Sequence, residues 1–208
     1  MGFFLEYGNL SIKTLRSVYE PSDDSTLAAM AIESALAKIK GKISVLDVGT
    51  GTGILGLVAG TNQKVKRLTF GDIDPVAVTL AQKNYLKNRE LIGAKCRFVK
   101  TDLFSRINGK FDLIVFNAPY LPADENTNSK ALNRALNGGE DGMEVCIQFM
   151  SGLKAHLSRN GKALMVISSF GNLRRMRSEA VRLGLRTKTV AKQHIFFEDI
   201  IVVEIKVA

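Results

Sequence analysis

Residues 46–53 read Leu46-Asp47-Val48-Gly49-Thr50-Gly51-Thr52-Gly53. They close the almost wholly apolar run Ile43–Val48 and lead into a segment with a helical pattern. An apolar run that enters a helix through a glycine-rich turn is typical of a buried strand in a parallel sheet. Glycines let the backbone approach a ligand closely, and a helix start offers free N–H groups to a negative group such as a carboxylate. We therefore expect a ligand site at this turn, which includes Asp47, Gly49 and Gly51.

Two other interpretations of this turn are open. The pattern Gly-x-Gly-x-x-Gly occurs from Gly51 to Gly56, as in dinucleotide-binding turns. In such turns the first glycine belongs to the strand-to-helix turn itself, and counting from Gly49 places Ile54 where the third glycine should stand. Asp47 is also a poor neighbour for a pyrophosphate, although a reasonable one for a cationic ligand. A glycine-rich turn that binds nothing is the second alternative.

Apolar, β-rich runs alternate with helical patterns along most of the chain. The predicted strands are Ile43–Val48, Arg67–Asp72, Cys96–Val99, Phe111–Phe116, Gly161–Ser168, Thr187–Lys192 and Ile200–Val207. Helical patterns such as Pro75–Lys87 and Glu144–Leu157 separate most of these strands. This alternation predicts an α/β fold with a mostly parallel seven-stranded sheet and helices on both faces. The connection His194–Asp199 is too short for a parallel crossover, so the last strand should be antiparallel to its neighbour.

The residues before this alternation predict a small N-terminal extension. Phe3–Tyr7 and Leu10–Lys13 flank Gly8-Asn9, which is a two-residue hairpin signal. A helical pattern follows from about Asp24 to Ile39. The chain has no internal repeat, linker or low-complexity segment, and 208 residues suffice for one well-buried core. We therefore predict a single domain over all 208 residues, with residues 1–40 as its extension.

A second ligand-site signal is Asn117-Ala118-Pro119-Tyr120, which directly follows the apolar run Phe111–Phe116. Open α/β sheets bind their ligands at the carboxyl ends of strands. One hydrogen of an amide or exocyclic NH2 group can be accepted by the Asn117 side-chain oxygen and the other by the Ala118 carbonyl, while Tyr120 covers the flat face. Pro119 keeps Ala118 extended, which turns this carbonyl away from the strand axis. The alternative is an ordinary turn at the strand exit.

Two other predicted strands end in acidic residues. Asp72, followed by Ile73, lies 23 residues beyond the first glycine of the turn. That spacing suits an acid that accepts hydrogen bonds from ribose hydroxyls. The next pair, Asp74-Pro75, is predicted to be the cap and first residue of a helix. Asp102, at the end of the third strand, can accept a hydrogen bond from an adenine amino group with Leu103 against the ring, although an ordinary loop aspartate would look the same.

The net charge of +9, with a pI near 9.6, is concentrated in part of the chain. Residues 170–193 hold seven basic residues and one acidic residue. Apolar residues recur there every three or four positions, so the basic side chains should form the outer face of an amphipathic helix. Such a face is either simply solvated or a contact surface for RNA or an RNA-bound protein. The candidate contact residues on the helix are Arg174, Arg175, Arg177 and Arg182.

Cysteine usage and apolar runs indicate the compartment. Cys96 and Cys146 form neither a Cys-x-x-Cys pair nor a metal-ligand spacing, which predicts buried thiols, a reducing environment and no metal site. No apolar run reaches membrane-spanning length, and the first residues lack a basic leader. We expect a cytoplasmic protein without a membrane segment.

Asp47 with its glycines, Asp72, Asp102 and the Asn117 segment follow four successive predicted strands. This arrangement resembles the class I S-adenosylmethionine-dependent methyltransferases, and more narrowly the HemK-like N5-glutamine methyltransferases that modify translation release factors. The family's Asn-Pro-Pro-Tyr corresponds to residues 117–120, with Ala118 in place of the first proline.

Two further segments carry the same resemblance. Val18–Ser25 is similar to the Val-Tyr-Glu-Pro-x-Glu-Asp-Thr segment of the short eukaryotic and archaeal branch, in which Ser25 would supply a cofactor-contacting hydroxyl. Gly138–Gly142 looks like the family's Gly-Gly-x-x-Gly loop. The substitution at Ala118 keeps the carbonyl, which any residue supplies, but adds an N–H group and loosens Asn117.

The resemblance implies a Rossmann-like class I methyltransferase fold, S-adenosylmethionine as cofactor, and methylation of the glutamine amide in the Gly-Gly-Gln motif of a release factor. It also implies that residues 1–40 cover the cofactor site. The implied cofactor-binding residues are Ser25, Asp47, Gly49, Gly51, Asp72, Ile73, Asp102, Leu103 and Asn117. The implied catalytic residues are Asn117, Ala118, Pro119 and Tyr120.

The resemblance further implies a small zinc-binding activator subunit docked at the edge of the sheet. Neither His156, at a predicted helix end, nor His194, in the last hairpin, is well placed as a base, so positioning must carry the reaction. One alternative is a nucleic-acid methyltransferase acting on adenine N6 or guanine N2, since the same geometry suits any exocyclic NH2 and the basic helix could bind phosphates. Another is a cofactor-binding module without enzymatic activity.

Overall fold

The computed structural model describes residues 3–119 and 142–208 of the chain. Its strands are β1 (Phe4–Tyr7), β2 (Leu10–Lys13), β3 (Ile43–Val48), β4 (Val65–Asp72), β5 (Lys95–Lys100), β6 (Phe111–Asn117), β7 (Leu157–Ser168), β8 (Leu185–Ile195) and β9 (Glu198–Val207). Its α-helices are α1 (Asp23–Lys38), α2 (Ile54–Gly60), α3 (Pro75–Lys87), α4 (Glu144–His156) and α5 (Leu173–Arg182), and a short 3-10 helix covers Arg89–Leu91.

Strands β3 to β9 form one twisted sheet in the order β5-β4-β3-β6-β7-β9-β8. The strands from β5 to β7 in this order pair in parallel, whereas β9 is antiparallel to both of its neighbours. The predicted α/β fold is therefore confirmed. Val48, near the end of β3, pairs with Gly71 of β4 and with Phe116 of β6. This register brings the carboxyl ends of three strands to the same edge of the sheet.

The sheet is covered on both faces, as the apolar strands predict. Because side chains alternate along a strand, Val45 and Val115 point to one face while Leu46 and Ile114 point to the other. The first face is packed under α1, α2 and the buried side of α3, and the second under α4 and α5. All four of these side chains are almost completely buried, which explains why the central strands read as continuous apolar runs.

Gly56 allows α2 to pack directly on the sheet. A Cβ at this position would lie 2.3 Å from the Phe70 ring of β4, and Phe70 itself is fully buried and stacked on Phe98 of β5. No side chain fits in that gap. The third glycine of the Gly-x-Gly-x-x-Gly pattern thus serves helix-to-sheet packing.

The predicted hairpin is confirmed as β1 and β2, and two buried asparagines, one in α3 and one directly after it, bind the hairpin to the domain. The Asn84 side chain accepts from Lys13 N and donates to Lys13 O, both at 2.9 Å, and Asn88 does the same for Ser11. Asn84 Nδ2 also donates to Thr52 O in the glycine-rich turn at 2.8 Å. One helix thereby fixes both the hairpin and the turn.

Most sheet strands extend one or two residues beyond their predicted ends, and β7 and β8 extend further. Strand β7 begins at Leu157, directly after α4, and not at Gly161. Strand β8 covers Leu185–Ile195, well beyond the predicted Thr187–Lys192, so that only Phe196-Phe197 connects it to β9. β8 lies at the edge of the sheet and most of its residues are exposed, polar or basic, so the apolar pattern did not extend to its ends. Charged side chains are common on such edges because they discourage pairing with other chains.

Among residues 3–119 and 142–208, no helix combines the length and the apolar character needed to cross a membrane.

Candidate active site

The carboxyl ends of β3, β4, β5 and β6 surround a cavity of about 440 Å³. Small-molecule sites commonly have volumes of roughly 300–1,000 Å³ and lie at this edge of α/β sheets. The strand ends contribute Gly49–Thr52, Asp72–Asp74, Thr101–Leu103 and Asn117–Pro119 to its lining. The segment before α1 and the first turn of α1 contribute Ser17–Tyr19, Pro21, Asp24 and Ser25.

The cavity brings together nearly all of the predicted site residues. Ser25, Gly49, Gly51, Asp72, Ile73, Asp102, Leu103, Asn117, Ala118 and Pro119 all line it. Tyr120 lies outside the described residues, as does Gly138–Asp141 of the predicted glycine loop. The exception among the described residues is Asp47.

Asp47 lies beneath the glycine-rich turn and not in the cavity, which differs from its predicted role as a ligand contact. Its side chain is 1% exposed, and Oδ2 accepts from Thr50 Oγ1 at 2.5 Å and from Gly56 N at 3.0 Å. Burial raises the pKa of this carboxyl to about 7, although both hydrogen bonds oppose the shift. Asp47 therefore supports the turn from behind.

The turn itself needs glycine where it meets the cavity. Gly49 has a φ of 61°, in the left-handed region, and a Cβ there would lie 3.1 Å from the Phe116 ring. Gly51 also has a positive φ, and its N–H donates to Asp72 Oδ2 at 2.9 Å. A side chain at either position would combine backbone strain with intrusion toward the site.

Asp72 joins the turn to the start of α3. Its Oδ1 accepts from Asp74 N at 2.9 Å while Oδ2 accepts from Gly51, and burial raises the pKa of its carboxyl against these hydrogen bonds. Each oxygen of a carboxylate has a second lone pair, so Asp72 can still accept from ligand hydroxyls. Asp74 is the helix cap that was predicted, since its Oδ1 accepts from Val76 N at 2.8 Å.

Apolar side chains form the part of the wall beside Asp102. Ile73 is 45% exposed at the cavity. Leu103 has a φ of 43°, which is rare for a bulky residue other than glycine. Ile73 and Leu103 line the cavity together with Asp102. Two apolar side chains and a carboxyl group suit a flat ring that carries an amino group at its edge.

Asn117 presents one end of its amide to a partner and leaves the other without one. Its Nδ2 donates to Asp24 Oδ2 at 2.9 Å. Its Oδ1 is buried and has no hydrogen-bond partner among the described residues. An unsatisfied buried acceptor costs about 1–3 kcal/mol, which indicates that a ligand donor completes it. Ala118 is buried beside it at 3% exposure.

Asp24 is a site residue that the sequence analysis missed. It lies in the first turn of α1, is 3% exposed and touches both the cavity and Asn117. The signal in the sequence that points to Asp24 is an acid at a predicted helix start, directly before the predicted ligand contact Ser25.

The cavity is acidic in a strongly basic chain. Asp24, Asp72, Asp74 and Asp102 line it, while no described lining residue is lysine, arginine or histidine. Four carboxyl groups favour a cationic ligand and disfavour a pyrophosphate. The dinucleotide alternative therefore fits this donor set poorly, whereas a ligand with a sulfonium and an ammonium group fits it well.

Comparison with known proteins assigns the family. The methyltransferase small domain family matches residues 10–196 of the chain. The chain belongs to this family. A putative protein N5-glutamine methyltransferase from Methanocaldococcus jannaschii is 33% identical to it over 200 residues, which cover 96% of each chain. The predicted relationship to N5-glutamine methyltransferases is thereby confirmed.

Two solved structures share the fold of this methyltransferase. The structure of the E. cuniculi Mtq2-Trm112 complex, described as responsible for methylation of the eRF1 translation termination factor, aligns with a TM-score of 0.70 at 20% identity, over 92% of this chain and 99% of that chain. The T. thermophilus 16S rRNA N2 G1207 methyltransferase RsmC, solved with AdoMet and guanosine, aligns with a TM-score of 0.67 at 17% identity, over 98% of this chain and 50% of that chain.

The histidines of this methyltransferase lie away from the cavity. His156 ends α4, where its ring nitrogens lie 2.9 and 3.2 Å from the carbonyls of Gly152 and Ile107 and its ring stacks on Phe104. His194 pairs with Asp199 in the β8–β9 hairpin. Neither histidine lines the site, as predicted.

The arginines of α5 form the outer face that was predicted. Arg174, Arg175, Arg177 and Arg182 are exposed, while Met176 and Ala180 between them are buried; Val181 is an exposed apolar residue on the same helix. Arg175 pairs with Glu144 at 3.1 Å, and Arg182 pairs with Glu179 at 2.7 Å. Exposed ion pairs of this kind contribute little to stability.

Proposed function

We propose that this enzyme transfers a methyl group from S-adenosylmethionine to the side-chain amide nitrogen of glutamine in the Gly-Gly-Gln motif of a translation release factor. The observation that carries the proposal is the buried Oδ1 of Asn117, which has no hydrogen-bond partner among the described residues and lies at the wall of the acidic cavity. A primary amide supplies the N–H donor that this atom lacks.

The acidic donor set is suited to S-adenosylmethionine, which supplies an electrophilic methyl group on a sulfonium when bound. Asp72 would accept from the ribose hydroxyls, and Asp102 would accept from the adenine amino group. Ile73 and Leu103 would cover the ring faces. Ser25 and the turn from Gly49 to Gly51 would enclose the amino-acid end, and the segment before α1 would close over it.

Asn117 and Ala118 would hold the acceptor. The Asn117 Oδ1 accepts one hydrogen of the glutamine NH2 group, and the Ala118 carbonyl accepts the other, with Pro119 restraining its direction. Fixing both hydrogens would direct the nitrogen lone pair, which is perpendicular to the amide plane, toward the transferable methyl group, and Tyr120 would cover the opposite face of the amide. The nitrogen would release one of its two hydrogens as a proton after it bonds to the methyl group. Positioning of this kind can lower a barrier by roughly 7–11 kcal/mol. A general base typically contributes about 10²–10⁴-fold, so the absence of histidine from the described cavity lining is tolerable.

The relatives support the substrate and the partner. The M. jannaschii relative is named for N5-glutamine methylation, and the E. cuniculi relative for methylation of a termination factor in complex with Trm112. We extend the glutamine substrate and the activator partner to this chain. The partner would be a small zinc-binding activator subunit docked at the sheet edge. The reaction would take place in the cytoplasm, where release factors act.

A methyl-transfer assay tests the proposal. The chain, with and without the candidate activator, is incubated with labelled S-adenosylmethionine and either a release factor or total RNA. We expect one methyl group on the glutamine of the Gly-Gly-Gln motif, and none after Gln→Ala substitution in the release factor. A release factor that stays unlabelled in the presence of the activator would contradict the proposal.

A second candidate is methylation of an exocyclic amine in RNA. It is favoured by the exposed arginine face of α5, since phosphate contacts of this kind supply most non-specific RNA affinity. An RNA methyltransferase solved with guanosine also shares the fold of this chain. Label in RNA, with the release factor unmodified, would select this candidate and make Arg174, Arg175, Arg177 and Arg182 its docking residues.

A further inference from the structure

We infer that Asp24 is a positioning residue that fixes the amide orientation of Asn117, so that only a hydrogen-bond acceptor faces the substrate. The contact joins the first turn of α1 to the end of β6, with Asn117 Nδ2 donating to Asp24 Oδ2 at 2.9 Å. The inference rests on the proposed function for its consequence, but the contact itself involves only residues of this chain.

An asparagine amide has no intrinsic preference between its two orientations. Its oxygen end and its NH2 end have nearly the same shape, so the hydrogen-bond partners decide which end points where. A carboxylate only accepts hydrogen bonds. A flip of Asn117 would place its oxygen against Asp24 Oδ2 and would lose a charge-assisted hydrogen bond. Asp24 therefore keeps Oδ1 directed away from α1.

The surroundings hold Asp24 itself in place. Oδ1 accepts from Ser22 Oγ at 2.8 Å and from Ser25 N at 2.5 Å, and Oδ2 accepts from the Tyr19 hydroxyl at 3.1 Å. A carboxylate that is 3% exposed needs such donors, because an uncompensated buried charge is very costly. The donors leave the carboxylate little freedom to turn, so the orientation of Asn117 is fixed before the substrate arrives.

This arrangement has a consequence for specificity. Because Nδ2 is held by Asp24, Asn117 offers the acceptor group an oxygen and no donor. A side-chain amide or an exocyclic NH2 donates a hydrogen bond to that oxygen. A carboxylate of the same shape has no hydrogen to donate and would place an oxygen against it. The orientation that Asp24 imposes on Asn117 therefore discriminates glutamine from glutamate. Such discrimination is strong because the wrong substrate leaves a buried polar group unpaired.

A polarity swap tests the inference. In Asp24→Asn, the Asn117 amide can turn over, and we expect kcat for methyl transfer to fall about ten- to a hundredfold, with the Kd for S-adenosylmethionine nearly unchanged. Asn117→Asp alone should be as poor, because two carboxylates then face each other. In the double variant, the NH2 of the new asparagine at position 24 donates to the new carboxylate at position 117, which presents its second oxygen to the substrate.

We expect the double variant to recover about tenfold in kcat over Asn117→Asp. A purely structural role for Asp24 would give no such recovery. The matched control is Asp23→Asn, which removes the neighbouring exposed acid of the same helix turn and should leave kcat at the parental value. A double variant with a kcat no higher than that of Asn117→Asp, with all variants folded, would overturn the inference.

A second readout is independent of the acceptor. The side-chain amide resonances of Asn117, identified by their loss in Asn117→Ala, should show slow hydrogen exchange in the parent chain and fast exchange in Asp24→Asn. If the parent shows this pattern but methylates no glutamine, the proposed function fails and the orientation by Asp24 stands. If glutamine is methylated while exchange is equally fast in both chains, the orientation by Asp24 is wrong and the proposed function stands.

Discussion

Asp47 is the titratable residue that couples the glycine-rich turn to pH. Burial raises the pKa of its carboxyl to about 7, against a value of 3.8 in an open environment. Between these values the folded chain holds a proton that the unfolded chain has released, so the stabilisation is complete below pH 3.8 and is lost as pH rises through 7. We expect the free energy of unfolding to fall with pH across this window, by at most about 1.4 kcal/mol per unit from this group.

Asp47→Asn should flatten that dependence, because the amide oxygen can accept from Thr50 and Gly56 at every pH. The measurement is urea unfolding of both chains between pH 5 and 8, with Glu90→Gln as a control at an exposed acid. Parallel curves for the parent and Asp47→Asn would show that Asp47 titrates normally.

At the same scale, the sequence predicted the chemistry of the site better than its geometry. Asp72, Asp102 and Asn117 follow strand ends, and parallel strands bring such residues together. The orientation of the Asn117 amide depends on Asp24, which is 93 positions away in the chain. No local pattern contains that contact, since it arises only when α1 is packed against the sheet.

At the scale of elements, α3 is expected to stabilise both the N-terminal hairpin and the site. Asn84→Ala would leave the buried Thr52 O without its donor, at a cost of about 1–3 kcal/mol, while Lys13 N and Lys13 O are only partly buried and can bond to water instead. We expect a loss of roughly 2–4 kcal/mol in urea unfolding, together with weaker S-adenosylmethionine binding by calorimetry. Gln82→Ala, at an exposed position of the same helix, should change neither. Equal stability of the two variants would show that the hairpin is held by other contacts.

The accuracy of the predicted element ends follows from burial. The bounds of β3 were predicted without error because its apolar run is buried on both faces and stops at the glycines. The ends of β8 were missed because an edge strand with basic, exposed side chains has no apolar pattern. The same exposure made the connection to β9 seem longer than the two residues Phe196 and Phe197 that form it.

On the scale of the whole molecule, charge is separated between the surface and the site. A chain of net charge +9 encloses a cavity that is lined by four acids and by no basic residue among those described. The outer charge suits an anionic or RNA-associated macromolecule, while the inner charge suits a cationic cofactor. Composition predicted the first of these properties. The second required the fold, because its four acids come from three separate segments of the chain.

The sheet, the glycine-rich turn and α1 all converge on Asn117, and the central claim is that its Oδ1 holds the acceptor nitrogen during methyl transfer. The most direct test is the single-turnover rate of Asn117→Ala on a release factor, measured with the Kd for S-adenosylmethionine of the same variant. We predict a rate that is lower by about a hundredfold or more, with only a modest change in Kd. A near-parental rate would contradict the account and reduce the Asn117 segment to a structural turn.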